Sequence, residues 1–427
     1  MNALINKIKN NDIFKAVASL FGANMFGSIV GMIGSFVQGR FITADELGFF
    51  KQFSIITGYL FFFHFGVFHA VERLYPLYMS RGEEDKARRV VEVANAWILL
   101  VCFPITIVFA VLSVICFVTG EWKSGLCWIV EIISIWAALY GGFLSATYRS
   151  GKEFQSMAKA NVANPIVSCL LIPFYWIQPF VTMILRNCTS AISTARLYLS
   201  RPVKVKFRFN FKEWIDLVKQ GLPLFSASYI TTTGLDAIRG TLILIFLSQE
   251  QLGYWSFAYT CILLVLQLPT SITAVYAPRI VSEYAKTERT SDCFKMCKKP
   301  ILMGGAVMLC LVPLGIACVH FLLPLILPNY VGATATIYVL LLSVPLKLSD
   351  ALSQVLVAAK RVAALNVISL VSTAVQVLVS LLLAYIGVGI ISFAIGFLCG
   401  YLVRTVCLLG NILSNIKKEK GEPCYNG

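Results

Sequence analysis

Arginine, lysine and carboxylate side chains recur inside apolar stretches of this chain, where a charge is expensive to place. Asp236 and Arg239 stand one helical turn apart in TGLDAIRGTLILIF, and Lys347 and Asp350 repeat that spacing in VPLKLSD. Arg186 lies within VTMILRNCTS with no acid flanking it, and Glu131 within IVEIIS. Arg40, Lys51, Glu72, Arg73 and Arg404 lie nearer the ends of such stretches. An ionised group at the centre of a membrane helix costs at least about 2.5 kcal/mol on insertion scales, so each one calls for a partner or a function. Side chains three apart on a helix share a face, which predicts an Asp236–Arg239 pair and a Lys347–Asp350 pair. A guanidinium offers further chemistry, because its planar fork makes bidentate, charge-assisted bonds to phosphate oxygens. Arg186 and Arg239, in different halves of the chain, are the candidates for such a contact. Arg40 and Arg73 can also reach headgroups by snorkelling.

The elements that must hold these groups follow from composition. The 427 residues are 58% hydrophobic and 13% charged, with a mean hydropathy of +0.78. An average soluble domain is roughly 25% charged, so this chain has too little polar surface for a water-soluble particle. Apolar runs reach the roughly 20 residues that cross a bilayer as a helix. Helices are expected at about 14–39, 48–78, 90–118, 124–147, 156–177 and 179–199. A second set follows at about 214–247, 252–277, 300–326, 331–358, 362–385 and 387–412. That is an all-α polytopic membrane protein with twelve spans. The run from Phe14 to Val37 is too long for a cleavable signal core and reads as the first span.

Basic residues orient it. One set of loops carries Lys7 and Lys9; Arg81, Lys86, Arg88 and Arg89; Arg149 and Lys152; and Arg201, Lys204, Lys206, Arg208 and Lys212. The same side continues with Arg279, Lys286, Arg289, Lys295, Lys298 and Lys299, then Lys360, Arg361, Lys417, Lys418 and Lys420. The opposite loops are short and nearly uncharged. By the positive-inside rule both termini are cytoplasmic. The formal charge of +15 is then a topological signal with affinity for anionic lipid, and no nucleic-acid partner is implied.

FITADELGFF (41–50) and FLSQEQLGYW (246–255) match without a gap at an offset of 205, and the same offset pairs Asn161 with Asn366. Two six-helix halves in one orientation form a parallel repeat, the arrangement in which transporters rock two lobes about a substrate. The expected domains are a lobe at 1–200, a linker at 201–213, a second lobe at 214–413 and a tail at 414–427. A pseudo-two-fold axis along the membrane normal is expected, with Arg186 and Arg239 facing inward between the lobes. RPVKVKFRFNF (201–211) alternates apolar and basic residues and reads as an extended linker on the inner membrane surface. His64 and His69, five apart, do not share a helical face, and they read as packing or interfacial residues rather than a proton-coupling pair. Cys293 and Cys297 lack a nearby His and do not read as a metal site.

GRFITADELGFF, GVFHAVERLYP (66–76), FNFKEWIDLVKQGLPL (209–224), FLSQEQLGYWSFAY and LPNYVGA (327–333) resemble, in order, motifs of the Wzx-type polysaccharide and O-antigen repeat-unit flippases. The resemblance spans nearly the whole chain. It implies the fold of the multidrug/oligosaccharidyl-lipid/polysaccharide exporters, MATE-like, in two lobes. It also implies transfer of an undecaprenyl-pyrophosphate-linked oligosaccharide across the bacterial cytoplasmic membrane by alternating access. The implied partners are that lipid-linked oligosaccharide, membrane lipids, and polysaccharide polymerase and chain-length machinery, with the transporter itself a monomer. Members often carry an adjacent Asp-Arg pair in helix 7, whereas here it is split as Asp236 and Arg239. Absence of a Walker motif points away from direct ATP use, leaving membrane potential, H+ or Na+ as the expected energy source and no organic cofactor. Outer loops of only a few residues, and inner loops without paired carboxylates or a nucleotide-binding Gly-rich loop, argue against an enzyme. The alternative of the same fold is a cation-coupled multidrug exporter, which would need cavity acids without basic neighbours.

Overall fold

The computed structural model describes residues 12–151 and 153–421. Lys7, Lys9 and Lys152, which helped to set the orientation, lie outside the described residues, as does the end of the expected tail. Every described regular element is helical. In the first half these are α1 (Asp12–Phe41), α2 (Ala44–Leu60), α3 (Val67–Ser80), α4 (Glu84–Val118), α5 (Trp122–Ile135), α6 (Gly141–Ser150), α7 (Phe154–Leu170), α8 (Pro179–Cys188) and α9 (Ser190–Leu199). The second half holds α10 (Phe211–Thr231), α11 (Thr233–Phe246), α12 (Gln249–Thr287), α13 (Thr290–Ile326), α14 (Thr334–Ser343), α15 (Asp350–Ala358), α16 (Val362–Tyr385) and α17 (Ile391–Gly421).

Each expected span coincides with one helix or with consecutive helical segments. Eight runs among the described residues are long and apolar enough to cross a membrane by length and composition. α4 shows the logic. Val91, Ala94, Ile98 and Cys102 are buried, while Phe103, Ile107, Val111 and Val114 are more than half exposed. Apolar exposure on that scale would be a liability in water and is what hydrocarbon requires of a helix surface.

The chain divides into two compact units, the first comprising Met1–Ile42 and Phe53–Tyr229 and the second Thr43–Gln52 and Ile230–Gly427. The first unit has a core of Val67, Phe68, Val71, Ile98, Leu139 and Tyr148, among others. Its α2–α3 run is interrupted by a 3-10 turn, Phe61–His64, and by left-handed backbone at Phe65 (φ 46°) and Gly66 (φ 78°). The break lets backbone meet backbone: a Cβ on Gly66 would lie 2.4 Å from the carbonyl carbon of Gly221 in α10. It also corrects the expectation for the histidines. On a continuous helix His64 and His69 would diverge, but the left-handed turn brings both rings against Phe225, at 4.0 and 6.1 Å between centroids. Residues 201–210 contain no helix or strand, with Val203 and Val205 packed on the core while Lys204, Lys206 and Arg208 are exposed.

In the second unit the two repeated segments touch each other. A Cβ on Gly48 would lie 1.8 Å from the carbonyl oxygen of Gln249, and one on Gly253 would lie 1.7 Å from that of Ala44. Residues 44 and 249, like 48 and 253, are separated by the repeat offset, so this contact is its own image under the repeat. Only glycine permits that approach. Gln249 Nε2 reinforces it by donating to Asp45 Oδ1 at 2.9 Å. Cys293 and Cys297 are fully buried in a cluster with Ile280, Val355 and Leu356, serving as small core side chains.

Candidate functional site

Arg186 sits on α8, which opens at Pro179, where proline's missing N–H costs nothing. Its guanidinium is half-buried and held from three sides. Nε donates to Ser168 Oγ of α7 at 3.1 Å, and Nη1 donates to the Tyr175 hydroxyl at 3.2 Å. Tyr175 in turn donates to Gln38 Oε1 of α1 at 3.0 Å. The third side is Gly34 of α1, where an added Cβ would fall 1.9 Å from Arg186 Nη2. Every one of these partners is neutral, and among the described residues no ion pair includes Arg186. The guanidinium carbon also lies 5.7 Å from the centre of the Tyr175 ring; hydroxyl oxygens satisfy N–H groups and a ring face shares some charge, but no carboxylate is paired with it.

The second unit treats its charges differently. Arg239 Nη1 and Asp236 Oδ1 pair at 2.6 Å, as the one-turn spacing predicts. The arginine side chain is only 4% exposed and the aspartate 49%. The guanidinium carbon also lies 4.8 Å from the Trp255 ring centre and 5.5 Å from that of Phe397, so two π-faces share its charge. The predicted Lys347–Asp350 pair does not form. Asp350 Oδ1 accepts instead from Arg404 Nε of α17 at 3.2 Å, while Arg404 Nη1 donates to Ser369 Oγ. Lys347 Nζ lies over the Tyr401 ring, 4.8 Å from its centre. Arg404 thus donates to a carboxylate and a hydroxyl from two fixed, divergent nitrogens of one planar fork.

Arg40, near the C-terminal end of α1, and Arg73 of α3 are both exposed. Next to Arg73, Glu72 accepts from Arg149 Nε at 2.7 Å. Glu131 is fully buried and accepts hydrogen bonds from Ser54 and Thr57 of α2. Sequence reasoning missed Arg404 as the partner of Asp350, and Ser168, Tyr175 and Gly34 as the seat of Arg186. Those partners come from other helices, and no local spacing announces them.

No protein-family profile and no curated protein sequence matches the chain. Solved structures do. A multidrug resistance MATE family transporter of the MOP superfamily, in an inward-facing conformation, superposes with a TM-score of 0.73 at 11% identity, over 93% of this chain and 96% of that one. The lipid II flippase MurJ, in an inward closed conformation, gives 0.67 at 12% identity, covering 93% of this chain and 89% of its own. A MATE in complex with MaL6 gives 0.63 at 13% identity, covering 96% and 98%. At such identities the likeness is one of fold, and the chain has the fold of these membrane transporters.

Proposed function

We propose that this protein is a flippase of the Wzx type. It would carry an undecaprenyl-pyrophosphate-linked oligosaccharide, a repeat unit of O-antigen, capsule or exopolysaccharide, from the inner to the outer leaflet of a bacterial cytoplasmic membrane by alternating access. The observation that carries the proposal is Arg186, a half-buried cation with neutral partners, suited to a phosphate oxygen. A cation exporter needs the opposite. Asp236, Asp350 and Glu72 each bond an arginine, which offsets their attraction for a cationic drug; Glu131, bonded to Ser54 and Thr57, is the exception among the deep acids. The fold likeness to a lipid II flippase is compatible with such a substrate. We place the phosphate contact at Arg186 and give Arg239 the task of holding Asp236. No chemical step is assigned to the chain.

An anion leaving an interior-negative compartment gains about 2.3 kcal/mol per charge per 100 mV, so the potential can drive the movement. The test uses purified protein in liposomes with a fluorescent undecaprenyl-pyrophosphate-linked saccharide and a potassium–valinomycin potential. Protein should accelerate exposure of the saccharide on the opposite leaflet, and Arg186→Lys, which keeps the charge but loses the fork, should slow it. A folded protein that gives no acceleration over empty liposomes would overturn the flippase reading. A rate indifferent to the sign of the potential would remove only the proposed driving force.

A further inference from the structure

A groove of about 630 Å³ opens in the first unit, and α1 and α7, which supply Gly34 and Ser168 to the seat of Arg186, also line it. Asn164 precedes Ser168 by one turn on α7, Gly27 precedes Gly34 by two turns on α1, and Ser190 follows Arg186 by one turn at the start of α9. The far wall is the π-helical turn Trp136–Tyr140, through Ala137 and Ala138, with the start of α6. Such π-turns interrupt the regular hydrogen-bond ladder and recur at functional sites. The size is that of a small-molecule site.

The lining has a consistent chemistry. None of its side chains is charged or aromatic, and the polar ones include Ser145, Asn161, Asn164, Ser190, Ser193 and Thr194. Three of the hydroxyl protons are already committed to backbone carbonyls. Ser190 donates to Asn187, Ser193 to Ala160 and Thr194 to Ser190, at 3.1, 3.3 and 3.2 Å. Their oxygens are therefore left as acceptors. Asn164 Oδ1 accepts from Thr189, which leaves its amide N–H groups as donors, and Asn161 adds a second amide. A hydrocarbon tail would leave the amide N–H groups of Asn161 and Asn164 without acceptors at a cost of about 1–3 kcal/mol each. An aromatic cationic drug would find neither a ring nor a carboxylate. Sugar hydroxyls, which both donate and accept, match acceptor oxygens alternating with amide donors.

We infer that this groove seats neutral sugar residues of the lipid-linked saccharide while Arg186 takes the phosphate beside them. The inference rests on the flippase reading and adds a saccharide subsite to it.

The experiment measures binding to purified protein in nanodiscs by microscale thermophoresis, with two probes. One is undecaprenyl pyrophosphate, and the other is the same lipid carrying one N-acetylglucosamine. Wild type should bind the sugar-bearing probe about tenfold more tightly, the return expected from one or two added hydrogen bonds. The double variant Asn161→Leu/Ser193→Ala should lose that increment and keep its affinity for the bare lipid. Equal affinity of wild type for both probes, or an increment that survives the double variant, would overturn the subsite and leave the flippase reading standing. Failure of wild type to bind either probe would overturn both. Should the double variant not fold, Ser193→Cys gives an independent readout. Maleimide labelling at position 193, followed by mass spectrometry, should be slowed by the sugar-bearing lipid and not by the bare one. Equal protection by both probes would again overturn the subsite.

Discussion

Gly34→Ala adds one carbon to α1, and the consequence can be worked from distances. That carbon would lie 1.9 Å from Nη2, 2.5 Å from Cζ and 2.9 Å from Nη1 of Arg186. Ordinary contact begins at 3.4 Å, so the guanidinium must retreat by about 1.5 Å. Its bonds to Ser168 and Tyr175 are 3.1 and 3.2 Å long and have only a few tenths of an ångström of slack before they cease to be hydrogen bonds. At least one must break. A hydrogen bond to a charged group contributes about 1.5–3 kcal/mol, against a gain of up to about 1 kcal/mol from alanine's better helix propensity. The net expectation is destabilisation by about 1 kcal/mol, with affinity for undecaprenyl pyrophosphate reduced about tenfold because the fork is misplaced. Gly31→Ala is the matched control. It lies one turn away on the same helix, and its added carbon meets nothing within 4 Å, so it should be neutral or stabilising. Thermal unfolding in detergent and lipid binding, measured on wild type and both variants, decide the matter. If Gly34→Ala tracks Gly31→Ala in both measurements, the seat described for Arg186 is wrong.

Three further outcomes follow from the same geometry. Gly253→Ala puts a carbon 1.7 Å from the backbone oxygen of Ala44, which cannot swing aside as a side chain can. It should cost about 3 kcal/mol or more, read as lost folded yield, and an unchanged unfolding midpoint would refute the close approach. Arg404→Leu leaves Asp350, whose side chain is 30% exposed, without its guanidinium; destabilisation of about 2 kcal/mol is expected, partly restored by adding Asp350→Asn, and additive effects would deny the pair. Trp255→Leu should cost more than Asp236→Asn, because the ring is buried beneath Arg239 whereas the carboxylate is half in solvent. Roughly 3 against about 1 kcal/mol is expected by denaturation, and the reverse order would count against the aromatic share of the arginine's stabilisation.

The spans were legible because a helix in hydrocarbon must be apolar over its length, and sequence records that directly. What interrupts a span was not. Only Gly66 hinted at the left-handed turn at Phe65–Gly66, and nothing nearby showed that α10 presses its backbone on that turn. The repeat was visible as a match between residues 41–50 and 246–255, but the reason for its glycines required seeing Gly48 and Gly253 against the opposite segment. Spacing succeeded for Asp236 and Arg239 and failed for Lys347 and Asp350. The one-turn rule ranks local partners only, and Arg404, 54 residues away, offers the better fork. Arg186 was readable as a cation without a neighbouring acid. Its hydroxyl partners and Gly34 were not, since they belong to helices that meet only after folding.

Arg186, Arg239 and Arg404 show how a charge can be made available or unavailable. Arg239 and Arg404 each hold a carboxylate at hydrogen-bond distance, so an approaching anion meets a nearly neutral pair and would have to displace the aspartate. Such pairs offset the cost of their own insertion and attract little else. Arg186 is held by a serine and a tyrosine, which fix the direction of the guanidinium without cancelling its charge. An arrangement of that kind is less stable when empty than an ion pair would be, because part of the insertion cost stays unrecovered. Under the proposed function, that remainder would be recovered when a phosphate binds. It is therefore differential affinity, available to a phosphate and denied to a neutral lipid, and a selective transporter requires such a difference.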